Sequence, residues 1–234
     1  LYSEILQRFR LAAQGKWPGR QPPARLARRV ETYCDPLPFY YEPLESRLVD
    51  TQSYPLNALT QRPMAMYHSW DSQNAWLRQI HSHNALFVNP RVGIANGFDD
   101  GDWVWLESPH GKVRCQCRFS EAVEPGTVWT WNAIGKAAGA WGLAPDADES
   151  RLGFLLNHVI SEELPPTECG DHVSNSDPVT GQAAWFDVRV RVSRADPREP
   201  AMTQPQFAPQ RRLPGQEKPR GRWQAYVAGR FGFK

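Results

Sequence analysis

The chain has 234 residues, 41% of them hydrophobic and 12% aromatic, with ten tryptophans, which excludes a wholly disordered segment and fits one large domain with arms. Its mean hydropathy is −0.59, and no apolar run reaches the ~18 residues that a membrane-spanning helix needs. The net charge of +2 conceals an asymmetry: residues 1–30 carry seven Lys/Arg against Glu4 and residues 207–234 carry seven against Glu217, so two ends of +6 flank a middle of −10.

From Leu1 to about Asp50 the pattern predicts one short helix, on Ile5, Leu6, Phe9 and Leu11 to Ala13, and then an irregular arm. Trp17-Pro18-Gly19 and Pro22-Pro23 end the helix, and Pro36, Pro38 and Pro43 oppose further regular structure. The chain opens at Leu1 and its first methionine is Met64. It therefore reads as a piece of a longer polypeptide, with any leader, metal motif or nucleophile expected upstream.

Between residues 51 and 194 short strands follow turn signals at close spacing. Leu56 to Leu59 is a strand, a polar loop leads to a helix from about Asn74 to His81, and Val88 closes a second strand. Asn89-Pro90 opens a helix as N-cap and first residue, with Gly97 at its left-handed end. Asp100-Gly101-Asp102 turns into Trp103 to Leu106, and Ser108 to Gly111 joins that run to Val113 to Phe119, whose alternation marks a half-exposed hairpin strand. Pro125-Gly126 leads into Thr127 to Trp131. Gly135 to Gly142 is small and flexible, Glu149 to Val159 reads as a helix, and Ala183 to Val192 as the last strand. Strands of similar length with short helices between them indicate a closed or nearly closed β-barrel with an insert. Trp103, Trp105, Trp129 and Trp131, at i, i+2 spacing, are expected in its core. Beyond Ala195, five prolines before Gly215 and the basic excess mark a second arm, 195–234.

Motifs for self-contained catalysis are missing. There is no G-x-S-x-G, H-E-x-x-H or P-loop, and His81-x-His83 reads as a surface pair with no third ligand at zinc spacing. Cys34, Cys115, Cys117 and Cys169 form no C-x-x-C, and Cys115 and Cys117 share one strand face, which points to packing. Asp99, Asp100 and Asp102 read as a solvated turn. The loop Thr60 to Asn74 is different, being too polar for core and too long for a hairpin. Arg62 offers a fork for phosphate, while Gln61, His68, Ser69, Ser72, Gln73 and Asn74 offer the mixed donors and acceptors that a heterocycle requires. A nucleotide-like ligand and a plain surface loop with Arg62 paired to an acid both fit this composition.

The order of motifs resembles the C-terminal molybdopterin-dinucleotide-binding domain of the DMSO reductase superfamily of molybdenum and tungsten oxidoreductases. That family has a strand, a T-x-R loop with a downstream His-Ser, and a P-x-D-A-x-x-x-G-I-x-D-G-D turn, then a hairpin with a central Gly and a Pro-Gly turn. Thr60-Gln61-Arg62 with His68-Ser69 matches the first part, and Pro90 to Asp102 the second, although Val92-Gly93 departs from Asp-Ala and Phe98 from Ile. Asn157 and the run Ser174 to Gln182, with Asp177-Pro178-Val179-Thr180-Gly181, resemble the closing segment. The wording of Thr60 to Ile80 is similar to the sulfite-dehydrogenase and phenylacetyl-CoA-oxidoreductase type, and Leu1 to Glu4 to the family's junction into this region.

The resemblance covers about residues 50–194. It implies a mainly β fold with short helices, a double-psi β-barrel over 51–194, flanked by irregular Pro-rich basic arms at 1–50 and 195–234. It also implies bis-molybdopterin guanine dinucleotide with Mo or W, held by Thr60, Gln61, Arg62, His68, Ser69, Ser72, Gln73, Asn74, Asn157, Asn175 and Gln182. The metal ligand and a 4Fe-4S cluster are then expected upstream. Expected partners are the upstream domains of the same polypeptide, a membrane anchor subunit, and an iron-sulfur electron-transfer subunit. The expected location is the cytoplasm or the cytoplasmic membrane rather than the periplasm. Two other classes fit the composition: a nucleic-acid-binding barrel with basic arms, and a subunit-docking module without cofactor. The acidic middle argues against nucleic acid, and the arms are expected to dock on protein.

Overall fold

The computed structural model describes residues 2–68, 70, 71, 74–132, 134, 135, 144, 146–165, 173–183, 188–200 and 203–208. Seven strands form one sheet: β1 (Leu56–Gln61), β2 (Leu86–Val88), β3 (Trp103–Ser108), β4 (Gly111–Phe119), β5 (Thr127–Trp131), β6 (Val188–Arg194) and β7 (Gln206–Phe207). The order β2-β5-β1-β6-β3-β4-β7, with β2 also paired to β4, closes the first six into a barrel and leaves β7 as a strip on β4. The pairs β1–β5 and β2–β4 are parallel and the rest antiparallel. This is the double-psi barrel expected from the sequence.

Alternation fills the interior with small and branched side chains. Ala58, Leu86, Val104, Leu106, Val113, Cys115, Val128, Val188 and Val190 are shielded from water, each large aliphatic contributing roughly 1.5–3 kcal/mol. Cys115 and Cys117 point inward together, and burial pushes the Cys117 thiol up to about 11. The four strand tryptophans do not join this core. They take the opposite parity to buried Val104, Leu106, Val128 and Thr130 and lie half-exposed on the outer wall, because the lumen of so small a barrel has no room for indoles. There Trp129 stacks on Phe87 at 4.0 Å. Lys112 sits 4.3 Å from the Trp105 ring and Arg114 5.1 Å from Trp103. Arg114 is itself buried, because residues 196–200 lie over it: its guanidinium donates to the Pro200 carbonyl, and Trp105 Nε1 donates to Glu199 at 3.2 Å.

The N-terminal fifty residues are more regular than expected. Besides α1 (Glu4–Ala13), capped by Ser3, they contain α2 (Ala24–Tyr33) and α3 (Leu44–Leu48). Leu26, Val30 and Tyr33 recur at helical spacing, a signal masked by the arginines between them. Prolines 23 and 43 do not prevent these helices; each stands at the N-cap, where the missing N–H costs nothing. Glu45 of α3, 1% exposed, accepts from Asn175 Nδ2 at 2.8 Å and Arg189 N–H at 3.0 Å, which ties this region to the barrel. In the C-terminal arm β7 pairs with β4, and residues 209–234 lie outside those described.

Two more expectations change. The helix over 149–159 is split into α6 (Asp148–Leu152) and a 3-10 turn, Leu156–Val159. Gly153 and Gly135 approach so closely that a Cβ on Gly153 would lie 2.9 Å from the Gly135 Cα, and Asn84 holds Phe154 through both its N–H (2.9 Å) and its carbonyl (2.5 Å), which pulls the backbone out of the helix. The last strand runs over Val188–Arg194, and 184–187 lie outside the described residues, as do 136–142 of the expected flexible stretch. The helix after β2, α5 (Pro90–Ala95), has its Asn89 cap and Gly97 at φ 73°. A Cβ on Gly93 would meet the Phe119 ring at 2.1 Å, so the phenyl takes the space that any larger residue there would need.

Under β7 lie two half-buried histidines, His110 and His158; His158 faces Phe207 at 6.3 Å between ring centres. Burial lowers both pKa values from the ordinary histidine range. The unfolded chain therefore binds protons that the folded chain refuses, and stability falls as pH drops from about 6.5 towards the lowered folded values. Thermal unfolding between pH 7 and 5 should show this decline, and His110→Gln combined with His158→Phe should flatten it; an unchanged slope would refute the assignment.

Candidate functional site

The site is built where β1 and β5 end side by side. Their parallel register sets Thr60 against Thr130 and Gln61 against Trp131, and the Asn132 N–H extends the ladder by donating to Gln61 O at 2.9 Å. Beyond Gln61 the chain leaves the sheet but stays anchored: Pro63 and Met66 are buried, and Tyr67 N–H donates to Asp71 at 2.8 Å. His68, at φ 50°, is the one described non-glycine residue in the left-handed region, a turn that costs of order 1 kcal/mol or more and turns up at functional loops. These anchors leave Gln61, Arg62 and His68 exposed on one ledge.

Arg62 makes no ion pair among the described residues, and its guanidinium lies 5.8 Å from the Tyr67 ring. The acid partner that a plain surface loop would need is not among them. Met64 is fully exposed, with Trp70 at 72% and Trp76 at 78%, so the ledge is bordered by apolar surface that nothing described covers. Asn74 caps α4 (Ala75–Arg78), its Oδ1 accepting from Trp76 N–H at 3.0 Å. Ser69, Ser72 and Gln73 lie outside the described residues. The pair His81 and His83 is occupied locally, His81 against the Trp131 ring at 5.5 Å and His83 with Ser82 at 2.9 Å.

The later site residues stand elsewhere. Asn157 is exposed on the 3-10 turn that packs against β3 and β4, and β4 faces β1 across the ring. Asn175 is 6% exposed and spends its amide on Glu45. Gln182 is exposed, and its carbonyl accepts from Asp177 N–H at 2.7 Å. Asp177 also takes the N–H groups of Val179 and Thr180, and Tyr41 OH donates to it at 3.1 Å. No hydrogen bond among the described residues joins this group to the Arg62 ledge.

Sequence reading missed three residues here. Tyr67 backs Arg62, Asn132 locks the loop to β5, and Asn84 bridges β5 to Phe154 through Thr130 Oγ1 at 3.2 Å and the two Phe154 contacts. A lone Asn between apolar strands, as at Asn84 before Leu86 and at Asn132 after Trp131, was the only signal available. The exposed donor set fits a dinucleotide: a guanidinium fork on Arg62 for the diphosphate, and the Gln61 amide and His68 imidazole for heterocycle atoms.

The family model described as "Molydopterin dinucleotide binding domain" matches residues 56–174. A sulfite dehydrogenase subunit of Allochromatium vinosum is 82% identical over 232 residues, which is 99% of this chain and 24% of that protein. Acetylene hydratase of Syntrophotalea acetylenica is 29% identical over 40% of the chain and 13% of its own length, and a putative dimethyl sulfoxide reductase catalytic subunit of Halobacterium salinarum is 29% identical over 66% and 16%. The solved structure of acetylene hydratase from Pelobacter acetylenicus superposes with a TM-score of 0.50 at 21% identity, covering 69% of this chain and 22% of that one, and supports the fold. The chain thus spans about a quarter or less of the length of these relatives. The family model matches half of the chain and the fold agrees with it, and the chain belongs to the molydopterin dinucleotide binding domain family.

Proposed function

We propose that this chain is the cofactor-holding C-terminal domain of a molybdenum or tungsten oxidoreductase catalytic subunit, which binds bis-molybdopterin guanine dinucleotide and oxidises sulfite. The observation that carries the reading is the exposed Arg62 ledge at the end of the β1–β5 pair, in a barrel of the dinucleotide-binding family. The 82% identity to a protein named as part of a sulfite dehydrogenase supports the substrate. When bound, the cofactor supplies the two-electron redox chemistry. This chain's part is to bind and orient: Arg62 grips phosphate oxygens, Gln61 and His68 offer polar contacts beside it, and Met64, Trp70 and Trp76 give an apolar border for upstream domains to cover.

In this reading the metal ligand and a 4Fe-4S cluster belong to upstream parts of the same polypeptide. Its partners are a membrane anchor and an iron-sulfur electron-transfer protein, and its location is the cytoplasm or the cytoplasmic membrane surface. The test is made on full-length protein. Metal analysis should find Mo or W, acid release should yield fluorescent pterin and GMP at two of each per metal, and sulfite should reduce an artificial electron acceptor. Protein free of metal and pterin after expression in a cofactor-competent host would overturn the proposal.

A further inference from the structure

The N-terminal helices carry an apolar face that the barrel does not use. Tyr2, Ile5 and Phe9, spaced three and four apart on one side of α1, are all more than half exposed. The Ser3 N–H donates to Pro36 O at 2.8 Å and so brings Leu37, also exposed, beside the start of that stripe. At Phe9 the stripe runs into an open cavity of about 680 Å³ between α1, α2 and the turn at Pro178. Leu26, Val30 and Cys34 are among its apolar walls, and Arg20 and Arg29 are the only charged residues lining it. Both arginines are exposed. Arg29 is steadied by donating through Nε to the Pro178 carbonyl at 3.1 Å, and neither arginine has an ion pair among the described residues.

A groove with apolar walls, a cationic rim and no anion fits an acidic partner that brings its own apolar side chains. The basic parts of this chain do not meet that need. Residues 207–234 carry seven Lys/Arg against Glu217, and a second copy of the face would set arginine against arginine. The sulfite dehydrogenase subunit that is 82% identical aligns over 24% of its own length, so the larger part of that polypeptide lies outside the matched region. We propose that the α1–α2 groove seats an acidic, apolar segment from the remaining part of the same polypeptide, with a large side chain filling the cavity beside Phe9 and carboxylates reaching Arg20 and Arg29. This rests on the reading of the chain as part of a longer subunit, and not on the cofactor or the substrate.

The test uses full-length protein in which the photo-reactive p-benzoylphenylalanine replaces Phe9 or, as a control, Ile94, which is 70% exposed on α5 and lies outside the groove. After irradiation, peptide mass spectrometry of the band of monomer mass should find the Phe9 position joined to a segment with Asp or Glu beside a large apolar residue, and the Ile94 position not joined to it. Arg20→Glu should lower that yield at least about threefold through like-charge repulsion with the unfolding temperature unchanged, and Arg20→Lys should keep it. A cross-link to a partner subunit, to a second copy or to residues 209–234 would overturn the proposal. So would the same cross-link from Ile94, no cross-link from Phe9, or an unchanged yield in Arg20→Glu. Metal and pterin measured on the same samples keep the two readings apart: full cofactor content without the Phe9 cross-link removes the docking groove alone.

Discussion

Arg62→Lys is expected to strip most of the cofactor from the full-length protein while leaving the stability of the barrel unchanged. Lysine keeps the charge but loses the planar fork that binds two oxygens of one phosphate. Charge-assisted hydrogen bonds are worth roughly 1.5–3 kcal/mol, so binding should weaken by about 10- to 150-fold. Arg62 is exposed, and no described residue pairs with its charge, so the fold loses nothing that would mask the effect. Metal, pterin and GMP per polypeptide are the readout, with thermal unfolding as control. Unchanged metal content would sink the assignment of Arg62 to phosphate.

Asn84→Ala is expected to have the largest effect on stability. The side chain is fully buried and receives Phe154 N–H while donating to Phe154 O and Thr130 Oγ1. Alanine would leave a buried N–H and a buried carbonyl unpaired, each costing about 1–3 kcal/mol. A combined loss of about 3–5 kcal/mol is a large part of the 5–15 kcal/mol that holds a typical domain. It should appear as a marked drop in the urea midpoint with little change in slope. A loss under about 1 kcal/mol would show that Phe154 is held by packing alone.

The strands were legible because most of their inward positions carry aliphatic side chains or thiols, and their joints carry turn chemistry that admits few alternatives: Gly97 at φ 73° and Gly101 at φ 83° stand at the expected turns. Helix α2 was obscured because charge drew attention to Arg25, Arg28 and Arg29 and away from Leu26, Val30 and Tyr33. The tryptophans were misplaced because alternation reveals that two faces differ but not which is inside; only the width of the closed ring decides that. Of the site, the Arg62 ledge could be read from composition and order. Asn84 and Asn132 could not, since their roles depend on strands and turns far away in sequence, and Asn175 gave no sign that its amide is committed to Glu45.

The position of β6 in the ring bears on how the protein is made. It lies between β1 and β3, joining residue 56 to residue 190 and residue 104 to residue 194, so the two sides of the barrel are bridged by the last long strand among the described residues, synthesised well after both. Pairings of such sequence separation form slowly, because a long loop must close before any contact rewards it. Until β6 docks, β1 and β3 each present an unpaired edge that invites wrong pairing. Expression at lower temperature, or with chaperones that hold these edges apart, should therefore raise the yield of soluble protein more than any change to the exposed loops.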